Sequence, residues 1–225
     1  MRILVVTATA AEVGPFVAGL RPIADRAPRV TRYAGAGHDV DVLVSGVGMV
    51  ATASWLSRVL AGEQYDMALN LGVCGSFDRT LEPGAVVHVV SDRLAELGAE
   101  DGDAFLSIQQ LRLEENEPPF VGGRLVNQSP PVNTTLAGLR AVDGITVNTV
   151  HGNDRSIACV VARLAPQVES MEGAAFMYTC LIHNLRFAQV RAVSNIVERR
   201  NRDAWRLPEA IARLSETARR IIEDL

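Results

Sequence analysis

The sequence is poor in cysteine, and its few cysteines are far apart. The three are Cys74, Cys159 and Cys180, and no two of them form a CxxC pair. This pattern predicts neither a disulfide framework nor a cysteine-based zinc cluster. We therefore expect the protein to work in a reducing compartment, the cytoplasm.

The chain also lacks an excess of positive charge and a long apolar run. The formal net charge is -4 at pH 7, which favours neither nucleic acid nor an anionic membrane as a partner. No uncharged apolar stretch reaches the roughly 20 residues that a membrane-spanning helix needs. The N-terminal MRILVVTATAA is similar to a short signal peptide, but the apolar run is brief and Glu12 follows at once. We interpret Arg2–Thr7 as a buried first strand instead.

Apolar segments alternate with helical ones along the chain. Strands are predicted for residues 3–6, 39–45, 67–71, 85–92, 120–126, 145–150 and 188–194. Helices are predicted for residues 11–20, with Pro15 in the first turn, and for 49–61, 173–183 and 207–225. Residues 107–133 are polar and proline-rich, and irregular structure is expected around their one strand. The alternation predicts a single α/β domain over residues 1–225 with a largely parallel sheet.

Two glycine-rich segments follow predicted strands. Residues 45–53, SGVGMVATA, contain the GxGxxA pattern of a dinucleotide-binding turn. That fingerprint also needs an acid at the end of the next strand, whereas Asp66 precedes this strand and Asn70 lies near its end. We therefore expect a tight turn that lines a small-molecule site. Residues 70–77, NLGVCGSF, are interpreted in the same way, or as a purely structural turn where glycine supplies unusual backbone angles.

Two carboxylates stand among small and apolar residues in VESMEGAAF, residues 168–176. Glu169 and Glu172 lie between a predicted strand and a predicted helix. A charge buried between two apolar elements needs a partner, and such acids mark functional sites. The alternative is a pair of solvated carboxylates at a helix N-terminus, where the helix dipole favours negative charge.

The segment VRAVSN, residues 190–195, places two polar side chains at the carboxyl end of a strand. These are Ser194 and Asn195, and ligands of open α/β sheets bind at that edge. The alternative for Asn195 is a turn or helix-capping role. Trp205, further along, is interpreted as a core residue rather than a stacking platform.

Taken in order, these segments resemble the purine nucleoside phosphorylase and nucleosidase superfamily. Glu12 after the first strand, SGVGMVATA, NLGVCGSF, VESMEGAAF and VRAVSN span nearly the whole chain except residues 107–135. Within the superfamily they are most similar to the futalosine hydrolases of the alternative menaquinone pathway. The resemblance implies a three-layer α/β/α sandwich around a twisted mixed sheet. It also implies a homo-oligomer that acts on a purine nucleoside without a metal or other cofactor.

The resemblance also assigns catalytic residues. Glu12 falls on the acid that activates the attacking water. Glu172 falls on the glutamate that accepts from the 2′ and 3′ hydroxyls of the ribose, which suits an acceptor-only carboxylate. Asn195 falls on the position that meets N7 of the purine. The expected substrate-binding residues around them are Val47, Cys74, Gly75, Met171 and Ser194.

The same resemblance predicts the nucleophile and the base. The superfamily's phosphorylases hold phosphate with an arginine and a serine where this chain has Asn70 and Val73, so water is the expected nucleophile. Nucleosidases that cleave adenine carry an aspartate where this chain has Asn195. A carboxamide suits a 6-oxopurine, such as the hypoxanthine of futalosine.

Other functions stay open from the sequence. A methylthioadenosine/S-adenosylhomocysteine-type or inosine-type nucleosidase has the same chemistry with another substrate. A catalytically silent nucleoside-binding module is a different class, but it would have no use for the water-activating Glu12.

Overall fold

The computed structural model describes residues 1–102, 104–113 and 118–225. Its strands are β1 (Arg2–Thr7), β2 (Arg21–Ala27), β3 (Val30–Gly35), β4 (His38–Val44), β5 (Met67–Ser76), β6 (Val86–Asp92), β7 (Gly98–Asp101), β8 (Ala104–Ser107), β9 (Phe120–Val121), β10 (Arg124–Val126), β11 (Arg140–Thr146), β12 (Val168–Ser170) and β13 (Phe187–Ile196). Its α-helices are α1 (Ala10–Val17), α2 (Met49–Gly62), α3 (Thr134–Gly138), α4 (Asp154–Leu164), α5 (Gly173–Ile182) and α6 (Leu207–Glu223). No helix in the described ranges is long and apolar enough to cross a membrane.

The alternation of strands and helices alone predicted a largely parallel sheet, and this prediction is wrong. The central sheet is mixed, as the resemblance implies. Its order is β2-β3-β4-β1-β5-β12-β11-β6-β10-β9, and β13 pairs with both β5 and β6. β13 runs parallel to β5 and antiparallel to β6. Because β13 bridges these two strands, β5, β12, β11, β6 and β13 form a closed ring of strands.

Helices cover both faces of the sheet and make the α/β/α sandwich. Alternate residues of β1 point to opposite sides, as the pleat of a strand requires. Ile3 and Val5 join the core cluster that contains residues of α1 and α6. Leu4 and Val6 join the cluster that contains residues of α2 and α5. β1 is therefore buried on both faces, which explains its unbroken apolar sequence.

The second glycine-rich segment is not a turn, so that prediction is wrong. β5 continues through it to Ser76 and pairs with β13 over this whole length. Its glycines serve close packing instead of a change in chain direction. A side chain at Gly72 would collide with the guanidinium of Arg191, and a Cβ at Gly75 would lie 2.8 Å from Val197.

The hairpin of β2 and β3 was not predicted, because every residue of β2 is exposed and no apolar period marks it. The hairpin joins the sheet through β4, where Asp41 is fully buried. Asp41 accepts two hydrogen bonds from Arg32, at 2.6 and 2.7 Å, and one from Tyr65 at 2.9 Å. Burial acts to raise the pKa of Asp41, but these hydrogen bonds hold it below its usual value.

Three further predictions differ from the structure, and one further helix was not predicted. The strand expected over residues 120–126 is the hairpin of β9 and β10, broken at Gly122 and Gly123, which both have positive φ. Within the irregular region predicted over 107–133, residues 114–117 lie outside the described residues. Pro15 lies inside α1 and not in its first turn, and α4 was not predicted. The strand expected over 145–150 is β11, which begins at Arg140 and ends at Thr146.

Candidate active site

Glu12 is held at the start of α1 by the loop that leaves β1. Its Oε2 accepts hydrogen bonds from the backbone N–H of Thr9 at 3.0 Å and from the Thr9 hydroxyl at 2.9 Å. This is the geometry of a capping-box glutamate. Its Oε1 accepts from the backbone N–H of Val73 in β5 at 3.2 Å. The carboxylate is therefore buried and fixed between the first and fifth strands.

Glu172 follows β12 and begins α5. Its Oε1 accepts from the backbone N–H of Gly48 at 3.0 Å, and its Oε2 lies 3.4 Å from Nη1 of Arg191. The residue is 6% exposed, so the alternative of a solvated carboxylate is wrong. Gly48 has a positive φ of 94° at the start of α2. The turn before α2 thus presents a backbone N–H to a carboxylate.

Arg191 was not singled out from the sequence, although it is the fully buried cation of the site. It lies in β13 and is 1% exposed. Its Nη2 donates to Oδ1 of Asn70 at 2.5 Å, and its Nε donates to Oε1 of Gln189 at 3.2 Å. Gln189 and Arg191 are two positions apart and share one face of the strand. Two polar side chains at this spacing in an apolar strand were the signal that could have revealed them.

The guanidinium of Arg191 lies between the two catalytic candidates. It is an ion-pair partner of Glu172. A Cβ placed at Gly72 would meet this guanidinium and would lie 3.1 Å from Oε1 of Glu12. The guanidinium of Arg191 therefore stands beside both buried carboxyl groups.

A buried polar chain continues from Arg191 to Asp92. Gln189 donates from Nε2 to Oδ2 of Asp92 at 3.1 Å, and Thr146 donates to its Oδ1 at 2.9 Å. Burial raises the pKa of Asp92 to about 6, although these two hydrogen bonds act in the opposite direction. The Thr146 hydroxyl in turn accepts from the backbone N–H of Ala174 in α5 at 2.7 Å. The chain thus connects Arg191 to the helix that Glu172 begins.

A second part of the site surrounds Asn195, near the end of β13. Its Oδ1 lies 2.8 Å from the hydroxyl of Ser194, and its Nδ2 donates to the carbonyl oxygen of Ile196 at 3.0 Å. Asn195 lines a cavity of about 170 Å³, whose walls are formed by Pro83, His151, Asn195, Ile196, Glu198, Arg200, Asn201, Ala204 and Trp205. Trp205 is half-buried on this wall and is not a core residue. His151 was not singled out from the sequence.

The other substrate-binding residues predicted from the sequence differ in how deeply they are buried. Met171 is half-buried beside Glu172, and Val47 is 56% exposed next to Gly48. The Cys74 side chain packs in the core with Leu81 and Val193, and burial raises the pKa of its thiol to about 12. Its carbonyl oxygen, and not its sulfur, contacts Ser194, at 3.1 Å. Among the described residues there is no cluster of His, Cys, Asp and Glu that could hold a metal ion.

Gly75 is the meeting point of three strands at the site. It pairs with Asn195 in β13 and with Glu169 in β12. A Cβ at this position would lie 3.5 Å from Nδ2 of Asn195 and 3.5 Å from Cγ of Glu169. These two distances are ordinary contacts, and it is the 2.8 Å approach to Val197 that favours glycine at this position.

Comparison with known proteins shows relatives that match along most of the chain. The sequence model of the phosphorylase superfamily matches residues 2–225. Futalosine hydrolase from Acidothermus cellulolyticus is 33% identical over 223 residues, covering 94% of this chain and 86% of the relative. Futalosine hydrolase from Thermus thermophilus is 30% identical over 188 residues, covering 81% of this chain and 80% of the relative.

Solved structures show the same fold. The 5′-methylthioadenosine/S-adenosylhomocysteine nucleosidase from Neisseria meningitidis, in complex with methylthio-immucillin-A, has a TM-score of 0.80 at 18% identity and covers 100% of this chain and 99% of its own. The Helicobacter pylori nucleosidase with butyl-thio-DADMe-Immucillin-A has a TM-score of 0.82 at 12% identity, with the same coverage. The chain therefore belongs to the phosphorylase superfamily and, within it, to the futalosine hydrolase family.

Proposed function

We propose that this protein hydrolyses the N-ribosidic bond of futalosine, releasing hypoxanthine and dehypoxanthine futalosine in the futalosine route to menaquinone. The similarity to futalosine hydrolases supports the substrate. The observation that carries the chemistry is the buried arrangement of Glu12 and Glu172 around Arg191. Two carboxylates near one sugar are what hydrolysis of a glycosidic bond needs.

Glu172 acts on the sugar. The bond between C1′ and the purine breaks through an oxocarbenium-like transition state, in which the ribose carries positive charge. The Glu172 carboxylate accepts from the 2′ and 3′ hydroxyls and stabilises this charge. Gly48 and Arg191 each contact one of its oxygens, so the group is oriented before the substrate binds.

Glu12 acts on the water. As general base it removes a proton while the water oxygen forms its bond to C1′. Its hydrogen bonds from Thr9 and Val73 fix the direction of the carboxylate. A positioned base of this kind contributes roughly 10²–10⁴-fold to the rate.

The same contacts disfavour phosphate as the nucleophile. Both ends of the Asn70 amide are occupied, because Nδ2 donates to the carbonyl oxygen of Val6 at 3.0 Å and Oδ1 accepts from Arg191. The Val73 N–H donates to Glu12. A phosphate dianion would approach Glu12 and Glu172, and Arg191, which lies between them, is already paired with Glu172.

Asn195 contacts the base. One hydrogen of Nδ2 is bonded to Ile196, and the other is free to donate to O6 of a 6-oxopurine. The ring of Trp205, on the wall of the same cavity, offers a flat surface for the purine.

An adenine-type nucleosidase is the second candidate. The 5′-methylthioadenosine/S-adenosylhomocysteine nucleosidase from Glaesserella parasuis is 27% identical over 188 residues. The two functions differ at the group that Asn195 contacts, since adenine presents an amine where hypoxanthine presents O6.

We also propose that the single-domain chain forms a homo-oligomer in the cytoplasm. Cys159 is an exposed free thiol, which suits a reducing compartment. Val50 on α2 and Tyr178 and Ile182 on α5 are exposed apolar side chains on two helices that pack against each other. Such a face suits a second copy of the chain.

Sedimentation equilibrium of the wild type and of Ile182→Glu measures the oligomeric state. We expect the wild type to assemble and the variant to lose assembly. A monomeric wild type would contradict the proposal.

A substrate panel tests the function. The purified protein is incubated separately with futalosine, inosine and methylthioadenosine in phosphate-free buffer, with Glu12→Gln as the control. We expect hypoxanthine from futalosine at the highest kcat/KM and little release by the variant. A higher kcat/KM for methylthioadenosine supports the second candidate, and no free base from any substrate supports a silent binding module.

A further inference from the structure

The departing purine needs a proton donor that Asn195 does not supply. A carboxamide can donate a hydrogen bond, but it has no proton to transfer at neutral pH. The free hydrogen of its Nδ2 can reach one acceptor, whereas the edge of a 6-oxopurine presents two, O6 and N7. A second donor at this edge is required if the base is to leave as a neutral molecule.

His151 lies on the wall of the cavity that Asn195 also lines. Its Nδ1 is 2.6 Å from Oε2 of Glu169, and its backbone N–H donates to Oε1 of the same carboxylate at 3.0 Å. A carboxylate only accepts, so Nδ1 carries a hydrogen and Nε2 is the atom left for other contacts. Nε2 makes no hydrogen bond within the described ranges. Its partner Glu169 is 3% exposed, and in the described ranges no arginine or lysine forms an ion pair with it.

The strands fix the place of this pair relative to Asn195. Glu169 and Asn195 approach Gly75 from the two strands that pair with it. The edge of the imidazole also packs against the ring of Phe77, with centroids 5.9 Å apart. The ring is thus held by Glu169 and Phe77 on the wall of the cavity that Asn195 also lines.

The charged groups that face the ring come from two elements. Glu169 belongs to β12, and Glu198 and Arg200 line the cavity from the loop after β13. Glu169 is the carboxylate that contacts the imidazole directly, whereas Glu198 is shared with Arg79 at 3.9 Å.

We propose that His151 is the acid of this site and gives a proton from Nε2 to the purine as it leaves, with Glu169 as its positioning residue. The inference rests on the proposed function. As the bond between C1′ and N9 breaks, its electron pair goes to the purine, and N7 takes the proton from the imidazolium. The water oxygen bonds to C1′, and Glu12 takes the water proton. Transfer of that proton through solvent to His151 restores the starting state.

The test compares two substrates that differ in the leaving group. Futalosine releases a purine that needs a proton, whereas p-nitrophenyl β-D-ribofuranoside releases a stable phenolate. For His151→Gln we expect kcat/KM for futalosine to fall on the order of 10²–10³-fold. For the phenolate substrate we expect a change below about tenfold, since no acid is required. His183→Gln, at an exposed histidine after α5, is the matched control and should retain full activity.

The pH profile gives a second readout from futalosine alone. The wild-type rate should fall on the alkaline side as the acid form is lost, and His151→Gln should lack this limb. Glu169→Gln tests the positioning role. It retains an acceptor for Nδ1 but removes the negative charge, so the alkaline limb should move to lower pH while KM changes little. Circular dichroism establishes that each variant is folded.

Two outcomes overturn the inference while leaving the proposed function intact. One is a His151→Gln enzyme that cleaves futalosine within about tenfold of the wild type. The other is an equal loss with both substrates and an unchanged pH profile, which would mean that His151 serves structure or binding. If the wild type itself releases no base from futalosine, the proposed function fails first, and the inference falls with it.

Discussion

Nη1 of Arg191 lies 3.4 Å from Oε2 of Glu172, with the two side chains 1% and 7% exposed. A buried ion pair contributes little net stability, but removing one partner leaves the other charge buried and uncompensated. The guanidinium also donates to Asn70, to Gln189 and to the carbonyl oxygen of Val73. Arg191 therefore fixes the direction of the Glu172 carboxylate.

Replacement of Arg191 should lower both stability and activity. Arg191→Met leaves Glu172 without its cation, and the expected loss in the free energy of unfolding is about 3–5 kcal/mol. Arg213→Met, which removes an exposed arginine of α6, should change it by less than about 0.5 kcal/mol. Urea unfolding monitored by fluorescence measures both. Equal stabilities of the two variants would contradict a structural role for the buried pair.

Glu172→Gln should abolish turnover in a folded protein. The amide oxygen still accepts a hydrogen bond, but the negative charge that stabilises the cationic sugar is lost. The expected fall in kcat is on the order of 10²–10³. Glu223→Gln, at an exposed position in α6, is the control for loss of one charge. A fall below about tenfold refutes the assignment, and a loss of melting cooperativity together with activity indicates a structural role.

Asn195→Asp should change the preference between purines. Aspartate removes the donor aimed at O6 and places a lone pair against it, which costs roughly 1–3 kcal/mol. Futalosine cleavage should therefore fall by about ten- to a hundredfold, while cleavage of methylthioadenosine rises relative to it. Asn195→Ala removes both donor and acceptor and should not produce this relative gain. The measurement is kcat/KM for both substrates in each protein, and an unchanged ratio in Asn195→Asp means that this residue does not contact the base.

Asp92 should make stability depend on pH. Burial raises the pKa of its carboxyl to about 6, above the value of an unfolded aspartate. The native state therefore holds this proton more strongly, and the stabilisation that this provides is present at low pH and is lost as pH rises through 6. The free energy of unfolding of the wild type minus that of Asp92→Asn should fall by on the order of 2–3 kcal/mol between pH 4 and 7. A difference that is flat or rises with pH would contradict the raised pKa.

The sequence predicted best where the pattern was local and strong. β1, α2 and α5 lie within a residue of their predicted bounds, because each has an unbroken apolar or small-residue pattern. β2 was missed because none of its side chains is buried. The glycines of β5 were misinterpreted because the reason for them, the side chains of Arg191 and Val197, comes from residues more than a hundred positions away.

The site followed the same rule. Glu12, Glu172 and Asn195 stand in recognisable segments and were predicted. Arg191 and His151 were not. The spacing of Gln189 and Arg191 in an apolar strand was an unused signal for the arginine, whereas a lone histidine in a loop gives no local signal. Their roles become visible only in the fold, which places Glu172 beside Arg191 and Glu169 beside His151.

The choice between water and phosphate as nucleophile is the most direct test of the central claim. Wild-type enzyme is given futalosine in buffers with and without inorganic phosphate, and the sugar product is separated and identified by mass. Asn70 accepts a hydrogen bond from Arg191, and the Val73 N–H donates to Glu12, so neither group is available to bind phosphate. We therefore predict that the free sugar is the only sugar product and that phosphate does not change the rate. A sugar 1-phosphate as the main product in the phosphate buffer would contradict the account.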